Sequence, residues 1–68
     1  MKTKREWLIQ MRSSKGLSQR EIASIVNITT QMYYYIENNK RNPSVKLAQK
    51  IADVLGFEWT MFYSKKIF

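Results

Sequence analysis

Between Leu17 and Glu37 the chain reads LSQREIASIVNITTQMYYYIE, and two helix starts with one abrupt turn between them leave little choice of local structure. Ser18 stands as an N-cap with Glu21 three residues on, the spacing at which each side chain satisfies an orphan backbone N–H of the first turn. Ile22, Ala23 and Val26 then share one face, which predicts a helix over Ser18 to Val26, and the small Ala23 admits close approach of a second helix. Asn27 tolerates the left-handed conformation that a sharp helix end needs, at greater cost than Gly. Ile28 turns inward, and Thr29 caps a second helix running to about Asn38. Its core seam is Tyr33 and Ile36 with Met32 beside them, and its remaining face carries Thr30, Gln31, Tyr34 and Tyr35.

The flanks supply what this pair must pack against. Between Lys4 and Ser14, Trp7, Leu8 and Met11 lie on one stripe of an amphipathic helix, with Arg5, Gln10 and Arg12 turned largely away, and Gly16 ends it. After the polar loop Asn38 to Pro43, Ser44 caps a fourth helix whose wide apolar stripe holds Val45, Leu47, Ala48, Ile51, Ala52 and Leu55, and Gly56 ends that one. The tail FEWTMFYSKKIF is too apolar for a disordered end and predicts a short fifth helix from Glu58 to Tyr63. No repeat, low-complexity tract or linker interrupts this order, so one domain is expected over 1–68.

Composition narrows the chemistry. Twelve Lys and Arg against five Asp and Glu give a formal charge of +7, which favours a polyanionic partner such as nucleic acid or an anionic membrane surface. The plainer alternative is a basic surface that keeps a small domain soluble. With no His and no Cys, imidazole and thiolate chemistry and the metal sites built on them are excluded. Glu6, Glu21, Glu37, Asp53 and Glu58 are scattered among basic residues, so a carboxylate-based enzyme has no constellation. No apolar run approaches the ~20 residues of a membrane span, and the charged start MKTKREWLIQMRSSKG is unlike a signal peptide. A soluble cytoplasmic protein without cofactor, metal or small-molecule ligand is the expectation.

Three segments in order resemble the helix-turn-helix regulators of the phage repressor and Cro type, the XRE family. They are LSQREIA, the core pattern Ile22, Ala23, Ile28, Tyr33 and Ile36, and IENNKRNPS followed by LAQKIADVLG; the match runs from about Trp7 to Tyr63. Asn27 and Asn39 replace the family's usual glycines, a change their tolerance of the left-handed region absorbs. The resemblance implies an all-α, compact five-helix lambda-repressor-like fold with the motif at helices 2 and 3, about 18–37.

It also implies roles. The second motif helix would lie in the major groove with Thr29, Thr30, Gln31, Tyr34 and Tyr35 at base edges. Gln31 is the strongest candidate for base readout, since its amide can donate to and accept from adenine together. Tyr34 and Tyr35 either contact DNA or pack half-buried. Phosphate contacts would come from Gln19, Arg12, Asn38, Lys40, Arg41, Asn42 and Ser44, the last at a helix start whose free N–H groups suit an anion. Arg12 and Glu37 match positions that the phage repressors pair in a salt bridge, with Arg41 as the competing local partner of Glu37 at i+4.

A sequence-specific repressor or controller is then expected, acting as a homodimer on a palindromic operator in double-stranded DNA. Trp59, Phe62 and Tyr63 are candidates for its interface or, alternatively, close the core of a monomer. The competing function is a protein-interaction module, such as an antitoxin or a regulator's partner, that grips its target through the aromatic tail. A membrane-surface role for the first helix is disfavoured because Trp7, Leu8 and Met11 are needed in the core.

Overall fold

The computed structural model describes residues 4–63. Four α-helices follow one another: α1 Glu6–Ser14, α2 Gln19–Ile25, α3 Thr30–Glu37 and α4 Val45–Leu55. The described residues contain no strand. The predicted fifth helix is instead a single 3₁₀ turn, Trp59–Phe62, closed by i→i+3 bonds from Met61 N–H to Glu58 and from Tyr63 N–H to Thr60. So short a segment gains little from an i→i−4 ladder, and the tighter turn turns Phe62 inward among its aromatic neighbours.

The helix starts are fixed by side chains. Ser18 Oγ accepts from Glu21 N–H at 3.0 Å while Glu21 Oε1 accepts from Ser18 N–H at 2.8 Å, a complete capping box. Thr29 caps α3 through Met32 N–H and Ser44 caps α4 through Leu47 N–H.

The helix ends repeat one device. Gly16, Asn27, Asn39 and Gly56 all have φ between +60° and +78°. Beyond each, the next N–H returns to the carbonyl five residues back: Leu17 to Arg12, Ile28 to Ala23, Lys40 to Tyr35 and Phe57 to Ala52. Each reversal turns the chain within two residues. In the case of Asn27, that sets α3 directly against α2.

The core gathers Leu8 from α1, Ile22, Ala23 and Val26, Tyr33 and Ile36 from α3, and Ala48, Ile51 and Leu55 from α4. Phe62 closes it at 7% exposure. A triangle of edge-on rings, Trp7–Phe57 at 5.1 Å, Trp7–Phe62 at 5.3 Å and Phe57–Phe62 at 5.6 Å, ties the start of α1 to the segment that follows α4. Three sequence expectations are corrected here. Val45 leaves the apolar stripe and is 52% exposed, because it sits at the first position of α4, beyond the reach of the other helices. Phe62 is core rather than candidate dimer surface. Arg5 does not turn away from the core: it is buried at 7% exposure as the N-cap residue of α1.

Candidate nucleic-acid interface

The first turn of α3 carries Thr29, Thr30 and Gln31, all exposed, above a seam formed by buried Tyr33 and Ile36. Thr29 Oγ1 holds Met32 N–H at 3.0 Å, so the turn enters with a fixed geometry and its hydroxyl proton still available to donate. Gln31 Nε2 donates to Tyr35 Oη at 3.0 Å, one turn along the same face. Tyr34 is 47% exposed, Tyr35 is half-buried, and their rings lie 6.1 Å apart. The four side chains the sequence leaves off the core seam of α3 thus stand together outside it.

Beneath this face, Glu37 is only 1% exposed and is the hub of a polar network. Its Oε2 accepts from Arg12 Nε at 2.6 Å and from Tyr33 Oη at 2.8 Å, and its Oε1 accepts from Gln19 Nε2 at 2.9 Å and Arg12 Nη2 at 3.2 Å. Burial pushes the carboxyl toward neutrality, but the hydrogen bonds from Arg12, Gln19 and Tyr33 outweigh it and hold Glu37 below the usual carboxylate range. The same bond to Glu37 raises Arg12, while burial first and the carboxylate second push the Tyr33 phenol up. Arg12 also donates Nη1 to Leu17 O at 2.9 Å, which fastens the α1–α2 connection to the site.

This network corrects one reading and redirects two others. Arg12 does not turn away from the protein but bridges α1, the following connection and α3. Gln19, expected at a phosphate, commits its amide nitrogen to Glu37. Arg41, the local alternative for Glu37, makes no ion pair among the described residues and is exposed, because the carboxylate faces inward toward Arg12.

The loop after α3 holds the remaining candidates. Lys40, Arg41, Asn42 and Ser44 are exposed and Asn38 is half-buried, its Nδ2 donating back to Tyr34 O at 2.9 Å. Ser44 Oγ accepts from Leu47 N–H at 3.2 Å. Among the described residues no carboxylate pairs with Lys40 or Arg41, two exposed cations shortly before the start of α4.

Sequence reasoning missed Arg5. Its guanidinium donates through Nη1 to Ile36 O at 2.5 Å and Arg41 O at 3.2 Å and through Nη2 to Asn42 Oδ1 at 2.5 Å, and it lies 5.4 Å from the centroid of the Phe62 ring. Its backbone N–H donates to Glu37 O at 2.8 Å. Periodicity could not reveal this, because the partners are backbone carbonyls more than thirty residues away. Among the described residues no helix is long and apolar enough to cross a membrane, and no three acidic, His or Cys side chains are grouped to hold a metal ion.

Comparison with known proteins agrees with this arrangement. A family model described as helix-turn-helix matches residues 8–62. The uncharacterized HTH-type transcriptional regulator YqaF of Bacillus subtilis is 44% identical over 59 residues, covering 87% of this chain and 78% of that protein. The HTH-type transcriptional regulator PuuR of Escherichia coli is 33% identical over 58 residues, 85% of this chain but 31% of PuuR. A third, the SPbeta prophage-derived uncharacterized HTH-type transcriptional regulator YonR of B. subtilis, is 39% identical over 51 residues, 75% of this chain and 47% of its own length. This chain therefore spans most of YqaF but less than half of PuuR and YonR.

Proposed function

The chain belongs to the XRE-type helix-turn-helix family of DNA-binding transcriptional regulators, and we propose that it acts in the cytoplasm as a repressor or controller by occupying a palindromic operator as a homodimer. In this reading α3 enters the major groove with Thr29, Thr30, Gln31, Tyr34 and Tyr35 at the base edges. The observation that carries it is the exposed face of α3, fixed by the Thr29 cap above and by the buried Glu37 network below. Gln31 reads a base by exchanging its bond to Tyr35 Oη for a bidentate pair with adenine. Lys40, Arg41, Asn42 and Ser44 hold phosphates on one side of the groove. Arg12, Gln19 and Asn38 support them from α1, α2 and the end of α3. The charge of +7 supplies the sequence-independent part of the affinity.

Two substitutions separate readout from attachment. Gln31→Ala relaxes the preference at one base position, at a loss of about 1–3 kcal/mol against the preferred base. Lys40→Ala weakens binding to all sequences and lowers the slope of log K against log salt by about one unit. Titration of matched and mismatched duplexes with both variants checks the assignment. If neither change alters binding, α3 is not the reading helix.

A further inference from the structure

We propose that Arg5 and Tyr63, which lie outside the matched segment 8–62, form a clamp that holds the loop after α3 in its phosphate-binding shape, so that the two flanks of the motif set the affinity for DNA. The proposal rests on the reading of that loop as a phosphate site.

The loop's first half is bonded back to α3, through the N–H groups of Asn39, Lys40 and Arg41, whereas the stretch from Asn42 to the cap of α4 depends on side chains. The Ile36 carbonyl in the last turn of α3, the loop carbonyl of Arg41 and the Oδ1 of Asn42 all accept from the Arg5 guanidinium, and the carbonyl of Pro43 accepts from Tyr63 Oη at 2.5 Å. Three successive loop positions, 41, 42 and 43, are therefore held from the protein side by two side chains, one of which also grips the end of α3 at Ile36. A buried guanidinium is costly unless its donors are satisfied, and here the planar fork is matched to three acceptors and packed against Phe62. Burial lowers the Arg5 pKa, with the Tyr63 phenol acting in the opposite direction, yet a guanidinium stays charged at any physiological pH.

The clamp also sorts donors from acceptors. With Oδ1 of Asn42 bound to Arg5, the amide NH₂ is the end left for a partner outside, and a phosphate needs a donor. The carbonyls of Arg41 and Pro43 are likewise drawn away from any approaching anion. Arg5 itself is buried and touches no DNA in this arrangement; it is a positioning residue. Tyr63 is braced by Trp59, 6.1 Å away between ring centroids.

The test uses the full chain and a short duplex of arbitrary sequence carrying a single binding footprint, so that neither base readout nor dimerisation enters. Binding is titrated across roughly 0.05–0.2 M salt for wild type, Tyr63→Phe, Arg5→Gln and Lys40→Ala, where each lost phosphate contact flattens the log–log slope by about 0.9. Tyr63→Phe removes one oxygen and no charge, so its slope reports loop geometry alone. The expected result is a slope less steep by roughly half to one unit for Tyr63→Phe and by about one to two units for Arg5→Gln. A loss of folded protein alone displaces the line in parallel without changing its slope, and near-UV circular dichroism measures that fraction. If Lys40→Ala flattens the slope and Tyr63→Phe does not, the clamp is wrong while the phosphate loop stands. If Lys40→Ala also leaves the slope unchanged, the loop reading fails and the clamp fails with it. Should Arg5→Gln not fold, Tyr63→Phe still decides.

Discussion

Glu37 keeps its charge at 1% exposure because three donors on three different helices converge on its two oxygens. Its folded pKa lies below the unfolded value of about 4.3, so the folded state binds fewer protons and stability rises with pH across that window. The contribution is present above the unfolded pKa and is lost as pH falls through the folded one. Glu37→Gln is expected to flatten that acid limb in denaturant titrations between about pH 2 and pH 5. At neutral pH the same change costs about 2–4 kcal/mol, less than for a wholly buried pair because Arg12 keeps 16% of its side chain in solvent. Equal acid sensitivity in the variant and the wild type would remove Glu37 from this role.

The elements are short, and their ends matter more than their interiors. Asn27 at φ +63° makes the reversal between α2 and α3, so Asn27→Ala is expected to lose about 1–2 kcal/mol in urea unfolding while Asn27→Gly loses none. This part of the fold was legible because caps and left-handed residues are local signals: Ser18 with Glu21, Thr29, Ser44, Asn27 and Gly56 each act within five residues of themselves. The apolar seams of α2 and α3 were legible by periodicity. The fifth helix was not, because the mostly apolar stretch Trp59 to Tyr63 does not distinguish an α-helix from one 3₁₀ turn driven by the burial of Phe62. Arg5 escaped for the opposite reason. Its polarity and its place in the expected helix Lys4 to Ser14 argue for solvent, and only the tertiary placement of Ile36, Arg41 and Asn42 gives its guanidinium a reason to be buried.

At the scale of the molecule, the proposed homodimer would supply what one half-site cannot. A single domain of this size presents one recognition helix, and linking two across a dyad multiplies affinity without new base contacts. With Phe62 in the core, the surface left for that contact is Trp59, half-buried, and Tyr63, 42% exposed, with Met61 at 37% beside them. Trp59→Glu is expected to weaken binding to a two-half-site duplex by about a hundredfold, with little change on a single half-site; equal losses on both would place Trp59 in the fold and not in the contact. The central claim is sequence-specific recognition by paired recognition helices. Selection of bound duplexes from a random DNA pool at about 0.15 M salt tests it most directly. The account predicts enrichment of a palindrome whose half-sites lie one helical turn apart, roughly 34 Å. Recovery of duplexes with no shared motif would contradict it and leave only charge-driven attachment.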